Sequence, residues 1–155
     1  KTAVLIQGAC RSGAILAGAD KDTQDALDKY GFHLGLAFQM ADDLLDYTAT
    51  AEELGKNPGA DMREGKLTLP LIYSLANASE ADRAWMEDAV QNPAFDPDQF
   101  EILKEKLYTY QGIEYTEKTA KDHVQQAKAC LERFDSGASK DLLNLIADYS
   151  IERKV

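Results

Sequence analysis

The chain has few basic residues, and it has none where its acidic residues are most concentrated. Its 155 residues include 17 Lys and Arg against 27 Asp and Glu, so the formal net charge is −10 at pH 7. No Lys or Arg occurs between Gly31 and Gly55. This charge disfavours nucleic acid and an anionic membrane surface as partners. A bound phosphate would have to be held locally, by a metal or by individual lysines.

Other absences narrow the class of protein. Cys10 and Cys130 are far apart and belong to no CxxC pair, so we expect reduced thiols in apolar cores rather than a disulfide or metal site. No apolar run approaches the length of about 20 residues that a membrane span needs, and no signal-peptide pattern opens the chain. We therefore expect a soluble, cytoplasmic protein. The first residue, Lys1, is not Met and falls within a helical pattern, which predicts that an upstream part is missing.

The sequence also lacks the alternating apolar pattern of β-strands, and its apolar residues recur at helical spacing. It therefore predicts an all-α fold. The predicted helices cover residues 1–17, 23–47, 68 onward, 81–90, 97–111, 116–134 and 140–153. Thr23 and Thr68 are the predicted N-caps of the second and third helices. Between these helices lies an irregular segment from Thr48 to Lys66, and a loop of that length in a compact domain is commonly a lid or a binding loop.

What the chain does contain is an acidic cluster inside an apolar helix, in the run FQMADDLLDY at residues 38–47. Helical spacing places Gln39, Asp42, Asp43 and Asp46 on one stripe about two turns long. Burying unpaired carboxylates is costly, and Mg²⁺ relieves that cost because it binds carboxylates, waters and phosphate oxygens of a substrate. The stripe therefore predicts a Mg²⁺ and diphosphate site. The alternative is that these aspartates merely end a helix beside a solvated loop.

Three basic side chains follow the acidic stripe within the irregular segment, namely Lys56, Arg63 and Lys66. If this segment folds back, it presents cations to an anion held by the metal, as lysine commonly does for phosphate. The alternative is a solvated basic loop on an acidic protein. His33 has no His, Cys or paired carboxylate one helical turn away, so we expect it to be a satisfied core or interface histidine.

Together these motifs resemble those of the trans-polyprenyl diphosphate synthases. The run at 38–47 is similar to the second aspartate-rich motif of that family. Segments 54–61 and 64–70 are similar to the lid loop and the helix that follow the motif. Lys1 and Thr2 resemble the Lys-Thr pair on the preceding helix, and residues 147–153 resemble the last helix. The likeness spans essentially the whole chain.

The resemblance implies a helical bundle of the isoprenoid synthase type. It also implies a Mg²⁺-dependent prenyltransferase that condenses isopentenyl diphosphate with an allylic diphosphate in isoprenoid biosynthesis. Asp42 would be the chief Mg²⁺ ligand, with Asp43 and Asp46 supporting the metal or its waters. The other implied site residues are Lys1, Lys56 and Lys66 for the diphosphate, and Thr2 and Gln39 for the allylic carbocation. Four of these other site residues are the predicted catalytic residues, namely Lys1, Thr2, Gln39 and Lys56.

The family places two aspartate-rich helices across one cavity, and this chain has one such motif. We therefore expect residues 1–155 to be the C-terminal part of a single all-helical synthase domain, inactive without the N-terminal half. Its exposed apolar faces should associate with another copy or a partner, and the family forms dimers. Two alternatives stay open. One is a noncatalytic helical subunit of a heteromeric prenyl synthase, and the other is a class I terpene cyclase.

Overall fold

The computed structural model describes residues 1–50, 59–91 and 96–152. Within these ranges there are eight α-helices and no β-strand, which confirms the all-α prediction. The helices are α1 (Thr2–Leu16), α2 (Lys21–Thr48), α3 (Ala60–Arg63), α4 (Leu69–Asn77), α5 (Glu80–Gln91), α6 (Pro97–Thr109), α7 (Gly112–Cys130) and α8 (Ala138–Glu152). None of the helices described is both long and apolar enough to cross a membrane.

The two predicted threonine N-caps have different outcomes. α2 begins at Lys21, and the Asp20 carboxylate accepts the Thr23 backbone N–H at 2.7 Å. The prediction of Thr23 as the cap is therefore wrong, because Asp20, which caps a helix equally well, lies one turn earlier. Thr68 does occupy the N-cap position of α4, but its side chain makes no capping hydrogen bond.

Two further boundaries differ from the predicted ones. The irregular segment contains a short helix, α3, while residues 51–58 lie outside the described ranges. α7 begins at Gly112 rather than at 116. A Cβ atom at Gly112 would lie 2.2 Å from the Pro70 carbonyl oxygen. This glycine therefore permits close packing of α7 on α4, whereas the sequence pattern had indicated a break between helices.

The described residues group into two compact units. Within the described ranges, the first unit comprises residues 1–41 and 119–152, and the second comprises the described residues between 42 and 118. α2 and α7 each contribute residues to both units. The prediction of a single domain over residues 1–155 stays a prediction.

The core of the first unit is built by α2, α7 and α8. Its buried residues are Tyr30, Leu34, Ala37, Val124, Ala127, Leu131 and Ala147. Cys10 and Cys130 are half-buried free thiols packed against this core, as predicted, and burial raises the pKa of both. α1 lies close to α2, since a Cβ atom at Gly35 would be 2.5 Å from the Ala3 Cα atom.

The core of the second unit gathers residues from the end of α2 and from helices α3 to α7. Its largest members are Leu44, Tyr47, Met62, Leu71, Met86, Phe100, Leu103, Leu107 and Ile113. α6 begins with a capping box, in which Asp96 accepts the Gln99 N–H and the Gln99 side chain accepts the Asp96 N–H. This core holds the last turns of α2, which carry the aspartates.

Candidate metal and diphosphate site

The three aspartates near the end of α2 have three different environments. Asp42 is exposed, Asp43 is half-buried, and Asp46 is 2% exposed. Leu44 and Tyr47 of the same helix belong to the second core. Asp42 and Asp46 share a face of α2, and Asp46 is buried because the start of α3 lies against it. No described residue makes a hydrogen bond or an ion pair with the Asp42 carboxylate. Asp42 is therefore the member of the motif whose oxygens are most available to a cation.

Asp46 is engaged with the first residues of α3. Its two carboxylate oxygens accept the backbone N–H groups of Ala60 at 3.1 Å and Asp61 at 2.9 Å. Its carbonyl oxygen accepts the Gly59 N–H at 3.0 Å. Amide donors at a helix start have no partner within the helix, and a carboxylate is well suited to satisfy them. Asp46 thus bonds to three consecutive residues of the segment that follows the motif.

Tyr47 bonds to the far end of the same segment. Its hydroxyl lies 2.7 Å from the Thr68 hydroxyl, and both residues are buried. The pKa of Tyr47 is raised to about 12, chiefly by burial; the Thr68 hydrogen bond acts in the opposite direction, and the nearby Asp46 and Asp43 charges add to the increase. Tyr47 therefore stays protonated at neutral pH.

Lys66, predicted to bind diphosphate, is paired with two neighbouring carboxylates. Its Nζ atom lies 2.7 Å from Asp61 Oδ1 and 2.8 Å from Glu64 Oε2. These hydrogen bonds raise the pKa of Lys66, so it remains a cation. The Lys66 side chain is 55% exposed, and exposed ion pairs are weak. Another anion can therefore replace these carboxylates at small cost.

Three of the predicted site residues lie in the first unit. The Thr2 hydroxyl donates to the Gln39 side-chain oxygen at 2.8 Å, so α1 and α2 bring together the two residues predicted to face the carbocation. Lys1 is the exposed N-cap residue of α1. Lys56, predicted to bind the allylic diphosphate, lies outside the described residues.

The side chains of α2 fit a metal held by few protein ligands. Across the described ranges, no three His, Cys, Asp or Glu side chains are grouped closely enough to hold a metal ion. An exposed carboxylate such as that of Asp42 has the hard oxygen donors that Mg²⁺ prefers, and Mg²⁺ commonly binds one or two carboxylates together with substrate phosphates. Asp46, in contrast, has both oxygens bonded to amides.

His33 is satisfied, as the sequence predicts, but its partner is a residue that sequence reasoning missed. His33 Nδ1 lies 2.9 Å from His123 Nδ1, and the two ring centroids are 5.2 Å apart. Burial is the main factor that lowers the pKa of each imidazole. The only other histidine in the sequence is the one signal that could have suggested this pair.

The fold and the aspartate motif define an all-helical protein with an acidic site at a helix end, and comparison with known proteins specifies its family. The family model described as polyprenyl synthetase matches residues 1–107. The chain belongs to the polyprenyl synthetase family, and its fold is a helical bundle of the isoprenoid synthase type.

Three relatives illustrate the match. A prenyl transferase of Cyanophora paradoxa is 37% identical over 99% of this chain and 46% of its own length. A short chain isoprenyl diphosphate synthase of Methanothermobacter thermautotrophicus is 38% identical over 99% of this chain and 47% of its own length. The crystal structure of a Caulobacter crescentus polyprenyl synthase, complexed with calcium and isoprenyl diphosphate, superimposes with a TM-score of 0.89 at 36% identity. That superposition covers 97% of this chain and 46% of the other.

The chain therefore spans about half the length of the relatives it matches, and it corresponds to their C-terminal half.

Proposed function

We propose that this chain is part of a polyprenyl diphosphate synthase, a Mg²⁺-dependent prenyltransferase that condenses isopentenyl diphosphate with an allylic diphosphate. The observation that carries the proposal is the exposed Asp42 carboxylate, within an aspartate motif, in a chain of the polyprenyl synthetase family. Residues 1–155 then form the C-terminal part of one synthase domain, and the other half of the domain supplies the facing side of the site. On this proposal these residues are inactive without that half.

In the proposed site, Asp42 is the chief Mg²⁺ ligand and Asp43 supports the metal or its waters. When bound, Mg²⁺ neutralises charge on the diphosphate as it leaves. Lys1, Lys56 and Lys66 bind the diphosphate oxygens. Lys66 does so by exchanging its contacts with Asp61 and Glu64 for contacts with the diphosphate.

Thr2 and Gln39 face the allylic carbon as positive charge develops on it. The Thr2 hydroxyl donates a hydrogen bond to the Gln39 side-chain oxygen at 2.8 Å, so the lone pairs of the Thr2 oxygen remain directed away from that bond. Fixed dipoles of this kind stabilise developing charge without reorganising during the reaction. Isopentenyl diphosphate then attacks the cation, and the departed diphosphate accepts the proton released when the new double bond forms.

The proposed enzyme acts in the cytoplasm as a homodimer. Support for association comes from α1, on which Val4, Leu5 and Leu16 are 66%, 75% and 89% exposed. Apolar side chains at such exposure are commonly covered by another protein surface.

The experiment is Mg²⁺-dependent incorporation of labelled isopentenyl diphosphate onto farnesyl diphosphate by the complete gene product. Asp42→Ala should lower the rate by about 10² to 10³-fold, the range for removing one group that stabilises transition-state charge. Asp22→Ala is the matched control, because Asp22 is an exposed aspartate in the first turn of the same helix. It should retain the wild-type rate.

Two outcomes would contradict the proposal. No incorporation by the wild-type protein would favour a noncatalytic subunit of a heteromeric synthase. A hydrocarbon product in place of a longer diphosphate would favour a terpene cyclase.

A further inference from the structure

The segment Gly59–Thr68, here named the basic segment after its Arg63 and Lys66, is attached to α2 at both ends. At its first end, Gly59, Ala60 and Asp61 donate their backbone N–H groups to Asp46, at 3.0, 3.1 and 2.9 Å. At its last end, the Thr68 hydroxyl lies 2.7 Å from the Tyr47 hydroxyl. Two consecutive residues of α2 therefore hold both ends of the basic segment.

The first attachment depends on a glycine. Gly59 has a φ of 78°, a left-handed conformation that is strained for residues with a side chain. A Cβ atom at this position would also lie 2.7 Å from the Phe100 ring. The chain can therefore turn at Gly59 and direct three amides toward Asp46 only because this residue lacks a side chain.

The residues inside the basic segment lie on two sides, one buried in the second core and one exposed. Met62 is 2% exposed and lies in the second core. The Lys66 N–H donates to the Asp61 carbonyl oxygen at 2.9 Å, and the Gly65 N–H donates to the Met62 carbonyl oxygen at 2.8 Å. Arg63 and Lys66 are exposed. The attachment to α2 thus determines where the exposed Arg63 and Lys66 side chains lie on the surface.

Asp46 and Asp42 differ in how available their carboxylate oxygens are to a cation. Each Asp46 oxygen already accepts one amide proton, and the side chain is only 2% exposed, so its remaining lone pairs are shielded from the solvent where a hydrated metal and a substrate phosphate would be met. Asp42 is exposed, and no described residue is bonded to its carboxylate. The motif therefore contains an aspartate suited to bind a cation and an aspartate already committed to the backbone.

We infer that Asp46 and Tyr47 are positioning residues, which hold the basic segment so that its cations are placed for the diphosphate. Asp46 does not ligate the metal. The inference rests on the proposed function for the identity of the anion. The attachment itself is independent of any substrate, because every bond in it is within the chain.

The first test needs neither metal nor activity. The protein is freed of divalent cations with a chelator, and hydrogen–deuterium exchange is followed in peptides covering residues 59–68. Asp46→Ala should accelerate exchange of the Ala60 and Asp61 amides about tenfold or more, since these amides lose their acceptors. Asp42→Ala is the matched control and should exchange at the wild-type rate. Unchanged exchange in Asp46→Ala would overturn the inference.

A second variant keeps the test valid if Asp46→Ala fails to fold. Tyr47→Phe removes only the hydroxyl that contacts Thr68, and it should accelerate tryptic cleavage after Lys66 several-fold in the metal-free protein. Wild-type cleavage rates in a folded Tyr47→Phe protein would count against the second attachment.

The closing experiment is a Mg²⁺ titration of condensation by the complete gene product. Asp42→Ala should raise the Mg²⁺ concentration for half-maximal rate, whereas Asp46→Ala should leave it unchanged while raising KM for the allylic diphosphate. Asp46→Asn keeps one acceptor oxygen and should restore part of both the exchange protection and the rate. An equal shift in Mg²⁺ requirement for Asp46→Ala and Asp42→Ala would overturn the inference. Absence of activity in the wild type would refute the proposed function alone, because the exchange result stands without it.

Discussion

The two units position their candidate site residues in different ways. In the first unit, polar groups join the sides of helices that are distant in sequence, as in the bonds from Thr2 to Gln39 and from the Tyr30 hydroxyl to the Leu143 carbonyl oxygen. In the second unit, Asp46 and Tyr47 join a helix end to the segment that follows it. The first unit therefore positions its candidate residues through helices that pack side by side. The second unit positions them through hydrogen bonds between the end of α2 and the two ends of the basic segment.

This difference has a consequence for the candidate site. Thr2 and Gln39 should respond to any change that moves α1 away from α2. The acidic motif should instead respond to changes in the basic segment and in the core beneath it. Substitutions confined to one unit can test this contrast.

The largest effect is expected from the second core. Leu103 is 0% exposed, and Leu103→Ala should lower the free energy of unfolding by about 2–5 kcal/mol because it leaves a cavity. Chemical denaturation measures the loss. Ile102→Ala is the control on the same helix, since Ile102 is 44% exposed, and it should change stability by about 0.5 kcal/mol or less. In Leu103→Ala, hydrogen exchange should accelerate mainly in the second unit. Equal acceleration in both units would contradict the expectation that a substitution in one unit acts mainly on that unit.

A smaller effect is expected where α1 approaches α2. In Gly35→Ala the new Cβ atom would lie 2.5 Å from the Ala3 Cα atom, so the helices must separate at a cost of about 1–3 kcal/mol. The Thr2–Gln39 bond should lengthen with them. Gly13→Ala is the matched control, because nothing lies within 4 Å of its Cβ position, and it should raise stability by about 0.5–1 kcal/mol. Equal unfolding midpoints for the two variants would contradict the close approach.

A pH effect should be confined to the first unit, because both histidines of the sequence belong to it. The pKa values of His33 and His123 are lowered in the folded protein, so the unfolded chain binds more protons around pH 6. Their contribution to stability is therefore present above the unfolded pKa of about 6.5 and is lost as the pH falls through and below it. Charge from Lys29 opposes protonation of His33, and Asp122 favours protonation of His123.

Hydrogen exchange at pH 7.5 and pH 5.5, corrected for the intrinsic pH dependence of exchange, checks this sign. Amides of α2 near His33 and of α7 near His123 should lose protection at the lower pH, and amides of α4 to α6 should not. The double variant His33→Gln with His123→Gln should remove the difference between the units. Equal loss in both units would show that carboxylates, rather than the imidazole pair, govern the response.

The smallest effect is expected from a surface pair in the first unit. The Lys128 ammonium contacts both Asp148 carboxylate oxygens, at 2.9 and 2.8 Å, but the side chains are 31% and 39% exposed. A double-mutant cycle of Lys128→Ala and Asp148→Ala should give a coupling free energy of about 0.2–1 kcal/mol, reduced at high salt. A coupling above this range, insensitive to salt, would show that this pair is shielded from solvent.

Some tertiary features left only weak signals in the sequence. Gly112 resembles a helix break, and only the nearby Pro70 carbonyl oxygen shows that it is a packing contact. Thr68 resembles a capping residue, and it occupies the cap position, yet its hydroxyl pairs with Tyr47. In both cases the local preference is satisfied by more than one arrangement, and a residue from another element selects between them.

The sequence by itself determined the all-α class, most of the helices, the aspartate motif and the family. These follow from apolar periodicity and from long ordered motifs, both of which are local properties of the chain. Tertiary structure alone decided that Asp46 is bonded to the basic segment, that Asp42 remains exposed, and that His33 contacts His123. The physical reason is that each of these depends on which distant backbone amide or side chain lies opposite, and the spacing of residues along one helix does not specify that.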